Sequence, residues 1–196
     1  MYFRISENLV PIDSTGGKNV YILLIRTNTL FSRFISKITK ASYTHASLGV
    51  NARGCDFYSF ARKYSRLPLP GGFVNESLNS GLMGRHPQTP CALFSVSVSD
   101  EVYASLCSRL DRMNSRKKQL KYSLRGTVFC FFHLPASFED RYFCSQFVAD
   151  TLQEEGILKL YKPASLYHPM DFFNHGELFL CYEGTIGDLR AHLLSV

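Results

Sequence analysis

The chain has no tryptophan, and no two of its six cysteines stand in a C-x-x-C spacing. The second absence removes zinc ribbons and thioredoxin-type redox motifs as explanations. No His-x-x-x-His spacing occurs among the six histidines, so no metal site and no cofactor is expected. Nowhere do eighteen apolar residues run together, so no transmembrane helix is expected. The longest apolar stretches, Val20 to Ile25 and Val128 to Phe132, are strand-sized. The opening residues, Met1 to Glu7, lack a basic segment followed by an apolar one, the form of a secretory signal. A cytoplasmic protein with reduced thiols is therefore expected. Charge of one sign does not dominate: 22 Lys and Arg against 16 Asp and Glu give a net +6. The densest basic cluster, Arg112 to Lys121, falls where a helix should end, which suits the helix dipole. Nucleic acid is thus a disfavoured partner.

What is present fits one globular domain. Hydrophobic residues make up 45% of 196 and charged residues 19%, ordinary for a packed core. The expectation is a single domain over 1–196. Asn19 to Arg26 is β-branched and apolar and reads as a buried strand. Thr29 to Lys40 places apolar residues at helical spacing. Tyr43 to Val50 and Cys55 to Ala61 read as a hairpin about the turn Asn51 to Gly54. The stretch 64–90, rich in Pro, Gly, Ser and Asn, reads as a long loop or arm. Ala92 to Val98 is strand-like, and Ser99 followed by Asp100 and Glu101 looks like a capped helix start. Thr127 to Phe132 fits strand or buried helix. Cys144 to Glu155 reads as a helix stopped by Gly156. A short helical turn at His168 to Phe173, a strand at Glu177 to Tyr182 and a helical tail from Ile186 complete the chain. Helices and strands mix without βαβ regularity, so the fold class is α+β.

Two short strings carry the chemistry. In Tyr142-Phe143-Cys144-Ser145-Gln146-Phe147, a strand-like aromatic lead runs into a helix whose first turn holds a cysteine. Helix N-termini leave N–H groups free and carry partial positive charge. Both favour a thiolate, and the same N–H groups can hold an oxyanion beside it. In Tyr43-Thr44-His45-Ala46-Ser47-Leu48, a histidine opens a strand. The remaining histidines, His86, His133, His168, His175 and His192, sit by prolines or at what reads as surface. Cys91, Cys130 and Cys181 read as buried small hydrophobes.

Together these strings resemble the permuted branch of the NlpC-type papain-like superfamily, the YiiX/YaeF-like group. In that branch the histidine strand precedes the cysteine helix, as Thr44 to Leu48 and Phe143 to Val148 do here. The resemblance covers roughly 18–183 and is specific at the two strings. It implies a circularly permuted papain-like fold, an antiparallel sheet packed against the nucleophile helix. It implies Cys144 as nucleophile and His45 as base of a cysteine peptidase- or amidase-like hydrolase or acyltransferase. The substrate would be an amide or ester acyl group of a small molecule, peptide or lipid.

The resemblance also implies a polar residue on the following strand that orients the imidazole. A four-residue turn at Asn51 to Gly54 pairs Val50 with Cys55 and His45 with Phe60; a one-residue bulge sets His45 opposite Ser59. Ser59 is adjacent in either register and is the expected third residue, whereas Asp56 would lie roughly 13 Å along the strand. A serine there departs from the family, many of whose members carry His, Glu, Asp or Asn. Two alternatives stand beside the enzyme: an inactive interaction module of the same fold, and a basic nucleic-acid or membrane-surface binder using Arg112 to Lys121.

Overall fold

The computed structural model of the chain describes residues 18–27, 41–51, 56–62 and 71–195. At the centre lies β1, Lys18–Ile25, whose residues from Val20 onward are all buried. Alternate side chains point to opposite faces of a strand, and here both faces meet apolar partners. Val20, Ile22 and Leu24 join one core cluster; Tyr21, Leu23 and Ile25 join the other. This two-sided burial is why the sequence reads as an unbroken apolar run.

The other strands are β2 (His45–Asn51), β3 (Asp56–Arg62), β4 (Gly71–Ser77), β5 (Pro90–Val98), β6 (Lys121–Tyr122), β7 (Arg141–Tyr142) and β8 (Phe179–Thr185). They form one eight-stranded sheet in the order β7-β6-β4-β3-β2-β1-β5-β8. All neighbours pair antiparallel except β6 and β7, which run parallel. The helices are α1 (Gly81–Arg85), α2 (Asp100–Ser115), α3 (Leu124–Phe131), α4 (Cys144–Glu154), α5 (Pro169–Phe173) and α6 (Ile186–Ser195), with a 3-10 turn at Ala164–Leu166. Leu106 and Leu110 of α2 and Phe147, Val148 and Leu152 of α4 fill the first cluster. Met83 of α1 and Ile186, Leu189 and Leu193 of α6 fill the second. The class is α+β, with helices on both faces of a mostly antiparallel sheet.

Several local expectations agree with this architecture. Ser99 caps α2 by accepting the Val102 N–H, and Gly156 follows α4 with φ of 67°, a conformation that suits glycine. The helix expected at 29–40, the turn residues 52–54 and the Pro-rich 67–70 lie outside the described residues. The long arm is corrected in its described part. Residues 71–77 are β4, fully paired to β3 from Asp56↔Ser77 to Arg62↔Gly71, and residues 81–85 are α1. Pro and Gly make that stretch look irregular, yet the glycine has a structural reason. A Cβ at Gly72 would run into the backbone carbonyl of Leu120, where β4 meets β6 at Gly72↔Lys121. Gly72→Ala is expected to destabilise by about 1–3 kcal/mol through overpacking against backbone. A thermal melt should register this as a Tm lower by roughly 2–12 °C; an unchanged Tm would contradict the close approach.

Candidate active site

Cys144 is the first residue of α4 and is 8% exposed. The residue before it, Phe143, is extended and gives the helix no side-chain cap. The first N–H groups of α4 are therefore not consumed by capping. The backbone amides of Ser145 and of Ala46 in β2 lie where they favour the charged form of the Cys144 thiol. Ala46 is fully buried under α4, and its single methyl lets the helix end sit down on the strand.

His45 is the first residue of β2 and pairs with Ile25 of β1. The chain leading into it is fastened on three sides. Thr44 donates its N–H to the Ile25 carbonyl and accepts the Thr27 N–H on its hydroxyl at 3.0 Å. Tyr43 donates its hydroxyl to Glu183 of β8 at 2.8 Å and stacks on Phe173. The imidazole is thereby fixed between two partners. Its Nε2–H donates to Glu76 Oε2 at 2.8 Å, and the ring lies near enough to the Cys144 thiol for each to shift the other. Ser47 donates its hydroxyl to the same Glu76 oxygen at 2.6 Å.

The electrostatics follow from this geometry. Burial alone would push the Cys144 thiol up. The His45 hydrogen bond and charge, with the Ala46 and Ser145 amides, more than reverse that and hold it below the ordinary thiol value. Burial likewise opposes the charged imidazole, but the Glu76 carboxylate and then the Cys144 contact hold His45 well above its usual range. Burial would raise Glu76; the His45 charge and the hydrogen bonds from His45 and Ser47 hold it below the usual carboxylate range. All three shifts favour one ionisation state: thiolate, imidazolium and carboxylate in line. The other thiols among the described residues go the opposite way. Burial pushes Cys91 and Cys130 up to about 12 and also raises Cys107 and Cys181.

Cys144 and His45 are thus brought together, and Ser59 is not part of their line. Its hydroxyl donates to the Ala46 carbonyl at 2.7 Å and is fully buried. The hairpin register explains the difference. Leu48 pairs with Tyr58 and Gly49 with Phe57, with an irregularity between Gly49 and Asn51. Continued along the strands, that register sets Ser59 abreast of Ser47 and sets His45 opposite Ala61. Both pairings considered for the turn are therefore off by at least one residue. The partner of His45 comes instead from the next strand over. β2 and β4 are two strand spacings apart, roughly 9.6 Å, and a glutamate and a histidine close that gap from either side. Ser59, which pairs with Val74 on β4, is small enough to leave the path across β3 open.

Glu76 escaped sequence reasoning because its strand was read as a loop. One signal was available: Glu76 is the sole charged residue between Arg66 and Arg85. Other site expectations shift less. His175 is 8% exposed rather than a surface residue. Cys91, Cys130 and Cys181 are buried thiols as read. Among the described residues no group of His, Cys, Asp or Glu is arranged to hold a metal ion, and no helix is long and apolar enough to cross a membrane. In the basic cluster, Arg116 is paired with Asp140. No protein-family model matches the chain, and no curated protein matches it at a significant level.

Proposed function

We propose that the chain is a cysteine-dependent hydrolase or acyltransferase of the permuted papain-like kind, with Cys144 as nucleophile, His45 as acid and base, and Glu76 as the residue that positions His45. The observation that carries this reading is the line from a helix-terminal thiol through a buried imidazole to a half-buried carboxylate. A thiol held low beside an imidazole held high is the arrangement a thiolate nucleophile requires.

In the proposed reaction the Cys144 thiolate attacks an acyl carbonyl carbon and forms a C–S bond. The oxygen takes up the negative charge and faces free N–H groups of the first turn of α4. The tetrahedral species collapses, the bond to the amine or alcohol breaks, and the His45 imidazolium gives that leaving group its proton. Water or another acceptor then attacks the thioester. His45, now neutral, removes its proton, and the thiolate leaves with the acyl group transferred. Glu76 accepts a hydrogen bond from Nε2 throughout and steadies the imidazolium.

A panel of activated amides and esters tests this, read by intact mass after rapid quenching. The wild type is expected to gain one acyl mass on Cys144 and to turn over; Cys144→Ala is expected to gain none and to lose turnover by more than about 10³-fold. Turnover that survives Cys144→Ala would overturn the assignment. The inactive-module alternative drew on a weak third residue at Ser59; the Glu76 contact to His45 supports the enzyme reading instead.

A further inference from the structure

A cleft of about 750 Å³ opens where the start of α3 faces the segment before β7. That volume is in the range of small-molecule sites. Its walls include Ser123, Arg125, Ser137, Phe138, Glu139 and Arg141. Arg141 precedes Cys144 by three residues, so the chain between them spans at most roughly 11 Å. The cleft wall therefore stands within that distance of the nucleophile. Gly126 of α3 also lies against Phe143, since a Cβ there would stand 3.3 Å from that ring.

The lining is rich in unspent donors. Neither Arg125 nor Arg141 has an ion pair among the described residues. Ser123 Oγ accepts the Gly126 N–H and Ser137 Oγ accepts Gln146 Nε2 at 3.4 Å, so both hydroxyl protons remain to be given. Glu139 is the one carboxylate against the two guanidiniums. Gln146 ties this wall to the nucleophile's helix. It stands two residues past Cys144, is 3% exposed, and its Nε2 donates to Ser137 of the wall.

We propose that this cleft is a subsite for an anionic group, a carboxylate or phosphate, carried by an amide substrate of Cys144. The anion lies against Arg125, Arg141 and the Ser123 and Ser137 hydroxyls. Guanidinium suits both oxyanions because its planar donors match their geometry. The proposal rests on Cys144 being the nucleophile.

The test uses chloroacetylated ω-amino acids of increasing chain length, with matched terminal carboxamides and aminoalkyl phosphates, as labels for Cys144. Each anionic rate is divided by the neutral rate on the same protein, so changes in the thiol itself cancel. The wild type is expected to prefer an anionic probe by about tenfold at low salt. The preference is expected to fall to about one in the Arg125→Gln, Arg141→Gln double variant. Preference for the phosphate arm or the carboxylate arm identifies the natural anion. A wild-type ratio near one, or a ratio unchanged in the double variant, overturns the subsite. A direct titration keeps the two readings separate. Inorganic phosphate and glutarate, followed by the Arg Nε–Hε resonances, should give saturable shifts in wild type that vanish in the double variant. If Cys144 fails to label at all, the nucleophile falls and this titration still decides the subsite: absence of saturable shifts overturns it.

Discussion

At pH 6, iodoacetamide is expected to alkylate Cys144 while leaving Cys91, Cys107, Cys130 and Cys181 untouched. The reacting species is the thiolate, and each unit of pKa changes its fraction tenfold. Cys144 is held below the ordinary thiol value by His45 and two amides, against the effect of burial. Cys91 and Cys130 are pushed up to about 12 by burial. The rate ratio should exceed about 10³ even though a lower-pKa thiolate is intrinsically the weaker nucleophile. The pH profile has a definite sense. Labelling of Cys144 falls only as pH drops through its lowered value, where the thiolate is protonated. Turnover has a second limb, because leaving-group protonation needs the imidazolium. That limb falls as pH rises through the raised His45 value. In His45→Ala, burial acts on the thiol with only the Ala46 and Ser145 amides to oppose it. The onset of labelling should then move up to or beyond the ordinary thiol value of about 8.5. Peptide mapping across pH 5–10 checks both parts. Parallel labelling of all these thiols, with Cys144 rising near its ordinary value, would defeat the assignment.

Glu76→Gln is expected to lower kcat/KM on the order of 10²-fold with little change in fold. The substitution keeps size and one acceptor oxygen but removes the charge that stabilises the imidazolium. The raised His45 value should come down, so the alkaline limb of turnover moves to lower pH. A merely structural glutamate would not move that limb. Ser59→Ala provides the contrast. It removes a hydroxyl that donates to the Ala46 carbonyl, a stability effect of about 1–3 kcal/mol. Its kcat/KM should stay within about threefold of wild type. Ser59→Leu fills the path over β3 and should behave like Glu76→Gln. Equal losses in Ser59→Ala and Glu76→Gln would show that the carboxylate has no special part.

Much of this site could be read from residue order, and the reasons are local. Cys144 at a helix start is signalled by the switch from an aromatic strand to helical spacing at Phe147, Val148 and Leu152. His45 at a strand start is signalled by the small and apolar residues that follow it. β1 is legible because both its faces are buried. What the sequence hides is set by contacts far along the chain. Gly72 looks like a loop residue until Leu120 is known to lie against it. Glu76 looks like a loop acid until β4 is seen pairing with β3. The hairpin register depended on one residue of slip between Gly49 and Asn51, and a slip of one turns a strand's side chains over. Thr127 to Phe132 fitted neither expectation fully: α3 is helical, yet Val128 and Phe129 are exposed at 46% and 37%.

The order of the three residues has a consequence for biosynthesis. His45 and Glu76 leave the ribosome before Cys144, and Glu76, the later of the two, precedes it by 68 residues. At usual elongation speeds that interval is roughly 3–14 s. The β-meander from β1 to β4 can pair during it, because each strand lies beside its neighbour in sequence. The nascent chain then holds the His45–Glu76 pair before Cys144 has been added. The surroundings that lower the Cys144 thiol include His45 and Ala46 of β2, so they exist only once α4 has docked on that strand.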